Sequence, residues 1–150
     1  MTAGRRDATA FAFFNEVGII EHLSRTAFER VLPQGLSLAG FAVLNHMVRL
    51  GHEHRAPALI ASAMQVTRGA MTGTLKRLQA AHWIAVTPDP ADGRGKAVRI
   101  TPAGRATREA AIAALSPQFQ DIYRTLDIAE LSAVLPTLIK VRQLLDAARD

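Results

Sequence analysis

Apolar residues recur every three or four positions along several stretches of the chain, which is the spacing of one face of an α-helix. The first stretch covers residues 8–32 and is followed by Pro33 and Gly35, which favour the end of a helix. A second stretch follows Ser37, whose hydroxyl suits a helix N-cap, and closes at Gly51. The pattern therefore predicts a long first helix and a shorter second one.

Two further helices are predicted on either side of a tight connection at Gln65 and Val66. The segment HEHRAP, residues 52–57, predicts a loop, and its proline suits the first turn of a short helix over residues 58–64. Thr67 can cap the next helix, whose apolar positions are spaced by four and three: Ala70 or Met71, Leu75 and Leu78. A short helix, a tight turn and a second helix together predict a helix-turn-helix.

The pattern changes to two short strands after this helix. Residues 83–86 (WIAV) and 97–100 (AVRI) are predicted to pair in an antiparallel hairpin. The segment between them, PDPADGRGK, contains two Pro and two Gly, so it cannot belong to a regular element and predicts an exposed loop. A helix followed by a hairpin with a polar loop is the order of a winged helix-turn-helix.

Two long helices are predicted in the last third of the chain. Thr101 can cap the first, with Pro102 in its first turn, and the last begins near Ile128. Pro117 and Pro136 fall inside these helices and are expected to bend or interrupt them. Long amphipathic helices with this much aliphatic surface at both ends of the chain are expected to pair two copies of the chain, the alternative for part of the surface being packing within one subunit.

The excess positive charge lies in the middle of the sequence. The formal net charge is +5, yet the segment from Arg55 to Arg105 holds eight basic and two acidic residues. The rest of the chain holds ten basic and eleven acidic residues and is therefore close to neutral. This distribution favours a polyanion as the partner of the helix-turn-helix and hairpin, the alternative being a solvated surface with clustered charge.

The second helix of the predicted helix-turn-helix carries residue types that recognise DNA. With its apolar positions turned to the core, Arg68, Thr72 and Lys76 lie together on the opposite side. Arg and Lys bind guanine or phosphate, and Thr contacts a thymine methyl group or a phosphate. Gly69 and Gly73 lie beside them and cost roughly 1 kcal/mol each relative to Ala. Two explanations stay open for these glycines, namely close approach of DNA or a tight crossing with another helix.

The predicted loop supplies the remaining DNA-binding candidates. Arg94 and Lys96 lie at its tip, and Arg77 lies near the end of the preceding helix. We expect Arg77 and Lys96 to bind phosphates and Arg94 to enter a minor groove. Asp92 is expected to hold Arg94 or Arg77 in a fixed orientation, because a carboxylate that faces DNA without such a partner opposes binding.

Several segments of the sequence together resemble the MarR family of bacterial winged-helix regulators. They are, in chain order, Leu59-Ile-Ala61, Arg77-Leu78, Trp83-Ile84, Asp92-Gly-Arg94 and Ile100-Thr-Pro-Ala-Gly104. The pairing of D-x-R with T-P-x-G is the most specific part of the resemblance. Two departures concern turns, since Gln65 and His82 stand where the family often has glycine.

The resemblance implies a mainly α fold with a small antiparallel β-hairpin. Residues 36–101 are expected to form a winged helix-turn-helix DNA-binding domain, and residues 1–35 and 102–150 a helical dimerisation region. A two-fold homodimer would place its recognition helices in successive major grooves of double-stranded DNA, on a near-palindromic operator. The implied function is sequence-specific transcriptional regulation, which we expect to be repression.

The resemblance also implies that a small molecule releases the protein from DNA. Such an effector would enter the crevice between the dimer helices and the DNA-binding lobe and favour a lobe spacing that does not fit the operator. The candidate crevice residues are aromatic, histidine or methionine side chains: Phe14, His22, His46 and Met47.

Other functional classes have less support in the sequence. The chain has no Gly-rich phosphate loop, no nucleophile motif and no paired carboxylates at a telling spacing, so we expect neither an enzyme nor a bound cofactor. A metal-responsive regulator stays open, because His52 and His54 flank Glu53 and His22 and His46 occur elsewhere, although the chain has no Cys. A winged-helix module used for protein contacts is the third alternative.

The expected location follows from two further patterns. No apolar run approaches the ~20 residues that a membrane helix requires. Residues 1–15 have a charged start but not the apolar stretch and cleavage site of a signal peptide. We therefore expect a cytoplasmic protein without a membrane partner.

Overall fold

The computed structural model describes residues 3–51 and 53–148. These residues form a mainly α fold with one two-stranded antiparallel hairpin, as the sequence predicts. The elements of this described part are, in order, α1 (Ala3–Glu29), α2 (Leu38–Arg49), α3 (Pro57–Met64), α4 (Arg68–Ala80), β1 (Ile84–Pro88), β2 (Lys96–Ile100), α5 (Pro102–Tyr123) and α6 (Ile128–Ala147).

Three of these helices begin at the N-caps that the sequence predicts. The hydroxyl of Ser37 accepts a hydrogen bond from the backbone N–H of Gly40 at 3.0 Å, and Thr67 does the same for Ala70 at 3.1 Å. Thr101 accepts from the backbone N–H of Gly104 at 3.0 Å, with Pro102 in the first turn of α5. Each side chain thereby satisfies one of the N–H groups that the first turn of a helix leaves without a partner.

The long helices differ from the prediction in the bounds of α1 and in their continuity at two prolines, whereas the alternative expectation of a bend at these prolines stays a prediction. The first helix covers Ala3–Glu29, so it begins and ends earlier than the predicted residues 8–32. Pro117 and Pro136 lie inside α5 and α6, and neither interrupts its helix. Both prolines are exposed, and each lacks a single N–H donor within a continuous helix of 20 residues or more.

One hydrophobic core joins α2, α3, α4, the hairpin and α5. The apolar residues on the inward face of α4 are Met71, Leu75 and Leu78, as predicted, whereas Ala70 is exposed. The side chains at the centre of the core, each less than 2% exposed, are Val43, Leu44, Met47, Ile60 and Val98. This core fixes α4 and the hairpin against the same neighbours and therefore sets their relative position.

The loop before α3 contributes a third, one-residue strand to the hairpin. Arg55 donates its backbone N–H to Val98 at 3.0 Å and accepts from the N–H of Val98 at 2.8 Å. The sequence predicts only a loop here, because a single bridging residue leaves no period-two pattern. The bridge connects the segment before α3 to β2, next to the loop between β1 and β2, which we call the wing.

The terminal helices are covered much less than the core. In α6 no described residue is buried, and α1 meets α5 through the edge-to-face pair Phe28 and Phe119, with ring centroids 5.5 Å apart. Among the described residues, no helix combines the length and apolar character needed to cross a membrane. Most of the exposed large hydrophobic residues of the described part therefore lie on α1, α5 and α6.

Candidate nucleic-acid interface

Helix α4 exposes the three side chains that the sequence places opposite its apolar face. Arg68, Thr72 and Lys76 are all exposed, while Met71, Thr74, Leu75 and Leu78 are buried behind them. The hydroxyl of Thr72 donates to the backbone carbonyl of Arg68 at 2.8 Å. Its proton is therefore used within the helix, and the methyl group and the oxygen lone pairs are what Thr72 offers to a partner.

The two glycines of α4 have no packing reason within the subunit. A Cβ built on Gly69 meets no atom within 4 Å, and one on Gly73 meets only Nη1 of Arg77, at 3.9 Å. A tight crossing with another helix of the described residues is therefore excluded as the reason for these glycines. Close approach of a molecule from outside is the explanation that stays open.

The wing between β1 and β2 is folded by two aspartates. Asp89 accepts a hydrogen bond from the N–H of Ala91 at 2.9 Å, and Asp92 accepts from the N–H of Arg94 at 3.1 Å. The backbone N–H of Gly95 closes the tip by donating to the carbonyl of Asp92 at 3.0 Å. These side-chain turns give the loop a defined shape without a regular element.

Asp92 thus acts on Arg94 in a different way from the one expected. Its hydrogen bond is to the backbone of Arg94, and within the described residues it forms no ion pair with the guanidinium of Arg94 or Arg77. The sequence predicted Arg94 as a partner of Asp92 but not that the bond is to its backbone N–H. Whether the carboxylate binds the backbone or the guanidinium depends on the local dihedral angles, which the sequence does not give. Asp92 shapes the wing and leaves both cationic side chains available.

A cleft of about 380 Å³ lies between α4, the recognition helix, the wing and the start of α3. It brings together three of the predicted site residues, Arg68 and Thr72 from α4 and Lys96 from β2. The remaining lining residues, which the sequence analysis did not single out as part of the site, are Ala56, Pro57, Ala58, Met71, Asp89 and Gly95. Helix and wing therefore present one continuous surface.

A second groove, of about 400 Å³, runs along the wing and reaches the end of α4. Arg94 and Lys96 line it together with Gln79, which the sequence analysis overlooked. Gln79 follows Thr72 and Lys76 at spacings of seven and three residues, so the helical period was the signal that could have found it. Its amide is suited to an adenine edge or a phosphate.

The cationic side chains of this surface form no ion pair with a described carboxylate. In the part of the chain that the structure describes, the ion pairs are Arg25–Glu21, Arg108–Glu109 and Arg124–Asp121, all on α1, α5 or the residue after α5. The five cationic candidates, all exposed and outside these pairs, are Arg68, Lys76, Arg77, Arg94 and Lys96. The surface is therefore positively charged and suited to a polyanion.

The cavity that Phe14 lines is not lined by the other three candidate effector residues. Phe14 lines a cavity of about 290 Å³ with residues of α1 and α6 and with Gln65. Met47 is fully buried in the lobe core, His46 is half-buried on α2, and His22 is exposed on α1. The other lining residues of the cavity are Phe13, Val17, Leu138, Val141, Arg142, Leu145 and Asp146.

The histidines considered for a metal are spread over the fold. Over residues 3–51 and 53–148, no group of three or more His, Cys, Asp or Glu side chains could hold a metal ion. His52 lies outside the described residues, and His54 and Glu53 are exposed. The structure therefore gives the metal-responsive alternative no supporting geometry within the described part.

Comparison with known proteins places this architecture among transcriptional regulators. A family model described as the MarR family matches residues 34–95. BpsR of Bordetella bronchiseptica is 26% identical, with a TM-score of 0.75 over 87% of this chain and 98% of that one. A mutant MarR from E. coli complexed with operator DNA is 26% identical, with a TM-score of 0.67 over 85% of this chain and 96% of that one.

A third structure agrees in fold. BldR, a transcriptional regulator from Sulfolobus solfataricus, is 23% identical and has a TM-score of 0.78 over 93% of this chain and 99% of that one. No curated protein matches the sequence. The family model assigns residues 34–95 to the MarR family, and the fold along most of the chain is that of winged helix-turn-helix transcriptional regulators of the MarR type.

Proposed function

We propose that this protein is a sequence-specific repressor that binds a near-palindromic operator as a homodimer and is released by a small molecule. The observation that carries the DNA-binding part is the cleft in which Arg68, Thr72 and Lys96 meet, within a surface whose cations have no ion-pair partner among the described residues. A surface of this kind binds phosphates through its charge and bases through the exposed helix.

Each candidate has a role that follows from its position. Arg68, Thr72 and Lys76 face bases or phosphates of the major groove, and Gly69 and Gly73 let the DNA approach the backbone of α4. Arg94 enters the flanking minor groove from the wing. Arg77 and Lys96 bind phosphates, and Asp92 keeps the wing in shape through its hydrogen bond to Arg94.

Two copies are needed for a complete site. A single lobe reads one half-site, and a two-fold dimer spaces its recognition helices by one turn of DNA, about 34–36 Å. The proposed dimerisation region comprises residues 1–35 and 102–150, and the proposed DNA-binding domain residues 36–101. The E. coli relative was solved with operator DNA, which supports the same use of the shared fold here. A protein that regulates transcription in this way acts in the cytoplasm.

The effector is proposed to occupy the cavity beside Gln65. This cavity lies between α1, α6 and the turn before Thr67, which caps the recognition helix. A molecule bound there would contact both the terminal helices and the helix-turn-helix, so it could favour one arrangement of the two over another. In the relative BpsR, 6-hydroxynicotinic acid regulates DNA binding, which supports a ligand-responsive function here.

Footprinting on the DNA upstream of the protein's own gene tests the proposal. We expect a protected near-palindrome whose half-sites are one helical turn apart, with an affinity that falls as salt rises because bound phosphates release counterions. The salt concentration must be fixed and stated. Absence of protection there and on random genomic fragments, even at low salt, would exclude DNA as the partner of this surface.

A further inference from the structure

The cleft between α4, the wing and the start of α3 contains a negative charge that phosphate binding does not explain. Asp89 lines this cleft together with Arg68 and Lys96. Within the described residues it forms no ion pair with either cation. A carboxylate that faces phosphates without such a partner opposes binding. The presence of Asp89 at this place therefore needs a further reason.

Folding of the wing uses only one of the two carboxylate oxygens of Asp89. Oδ1 accepts the hydrogen bond from the N–H of Ala91 at 2.9 Å. Oδ2 accepts no hydrogen bond from a described residue, and it lies 3.8 Å from the Cβ position of Gly95, which also lines the cleft. Because an asparagine oxygen could accept from Ala91 equally well, the turn does not require a charged side chain. Oδ2 is the atom left for a partner.

A carboxylate oxygen needs a hydrogen-bond donor as its partner. The phosphate groups of DNA provide none, whereas the major groove exposes the N4 amino group of cytosine and the N6 amino group of adenine. Arg68 and Thr72, which line the same cleft, belong to the helix that we propose enters the major groove. The base edges of the major groove are therefore the donors that fit Oδ2.

We propose that Asp89 is a specificity-determining residue, whose Oδ2 accepts a hydrogen bond from the amino group of a cytosine or adenine in the operator. This inference rests on the proposed function and adds a base that the cleft selects. On other DNA the carboxylate finds only phosphates and repels them, and phosphate contacts supply nearly all of non-specific binding. On the operator the hydrogen bond offsets this repulsion.

Replacing Asp89 by Asn tests the role of the free oxygen. The asparagine oxygen keeps the bond to Ala91, and its NH2 group puts a donor where Oδ2 was an acceptor. Affinity is measured by fluorescence anisotropy, at one stated salt concentration, for the operator found by footprinting and for a scrambled duplex of the same length and composition. We expect Asp89→Asn to bind the scrambled duplex several-fold more tightly and the operator no more tightly. The ratio of the two affinities should fall at least ~fivefold.

Asp92→Asn is the matched control. It removes the same charge from the same wing and keeps an oxygen for the N–H of Arg94, but Asp92 does not line the cleft. We expect it to change the affinities for both duplexes by the same factor, so that their ratio stays that of the wild type. Thermal unfolding of both variants should match the wild type, which separates the effect from a loss of wing structure.

Replacing the operator base pairs one at a time identifies the selected base. The wild type should require cytosine or adenine at a position in each half-site where Asp89→Asn no longer distinguishes the bases, while the other positions keep their preferences. Loss of preference at every position alike would point to a general weakening and would count against the contact.

The outcomes separate this inference from the proposed function. If the wild type prefers the operator and Asp89→Asn has the same affinity ratio, the role of Asp89 is overturned and the proposed function stands. If the wild type binds the two duplexes equally, or binds neither, the proposed function fails and the role of Asp89 fails with it.

Discussion

The backbone carbonyl of Trp83 lies so close to Gly104 that a Cβ built at position 104 would be 2.0 Å from the carbonyl oxygen. Thr101 holds this approach in place, because its N–H donates to the carbonyl of Trp83 at 3.1 Å and its hydroxyl donates to the carbonyl of His82 at 2.7 Å. The T-P-x-G segment therefore joins the start of α5 to the residues that enter the wing.

Replacing Gly104 by Ala should destabilise the fold. The new methyl group would overlap a backbone carbonyl, which cannot rotate away as the end of a flexible side chain can, and overpacking costs about 1–3 kcal/mol. Urea denaturation measures the loss in the free energy of unfolding. Ala103→Ser, at the exposed neighbouring position, is the control and should change stability by less than ~0.5 kcal/mol. A Gly104→Ala protein as stable as the wild type would show that the contact is not constraining.

Replacing Gln65 or His82 by Gly should stabilise the protein. Both residues adopt left-handed backbone conformations, with φ of 56° and 59°, at the turns before α4 and β1. A side chain in this conformation costs about 1–2 kcal/mol, more than the entropy that glycine loses on folding. We expect each variant to raise the free energy of unfolding by up to ~1 kcal/mol. Ala81→Gly, at a position where φ is −81°, should lower the free energy of unfolding instead. A loss of stability in all three variants would contradict the claim that Gln65 and His82 are strained.

Replacing Gly73 by Ala should improve stability and weaken DNA binding. The added methyl group has room in the free protein and raises the helix propensity of α4 by about 1 kcal/mol. In the complex it would lie where we expect the DNA to approach the helix. Thermal unfolding and operator affinity should therefore move in opposite directions, which a folding defect cannot produce. Unchanged affinity for the operator together with increased stability would show that Gly73 is not part of the DNA interface.

Replacing Asp92 by Asn should preserve the wing, whereas Asp92→Ala should loosen it. Asn keeps a side-chain oxygen that can accept from the N–H of Arg94, and it removes a negative charge from the DNA-binding surface. We expect operator affinity to be unchanged or higher for Asp92→Asn and several-fold lower for Asp92→Ala, as measured by fluorescence anisotropy at fixed salt. Equal losses for both variants would mean that the carboxylate charge itself is required.

Local signals account for what the sequence predicted correctly. The caps at Ser37, Thr67 and Thr101 depend on residues three positions apart, and the buried face of α4 follows from helical periodicity. The bridge between Arg55 and Val98 could not be predicted in this way, because it joins distant parts of the chain through a single residue. Such pairings depend on the packed core, which sequence periodicity alone does not specify.

In the candidate site, too, the features set by local sequence were predicted and those set by tertiary packing were not. Periodicity placed Arg68, Thr72 and Lys76 on one exposed face, as the structure has them. It could not show that Asp89 and the start of α3 complete the cleft, since these segments meet only after the hairpin docks on the core. It also left open why α4 contains two glycines. Because their Cβ positions have almost no neighbouring atoms among the described residues, contact with a molecule outside the subunit is the explanation that stays open.

The central claim is that α4 and the wing together bind DNA, and charge reversal tests it most directly. Operator affinity should be measured at one stated salt concentration for the wild type, Arg68→Glu, Arg94→Glu and Arg30→Glu. Arg30 is exposed just beyond the end of α1 and provides the same change in net charge outside the proposed interface. We expect affinity to fall about tenfold or more for Arg68→Glu and Arg94→Glu and to change little for Arg30→Glu. Equal affinities for all four proteins would contradict the assignment of this surface to DNA.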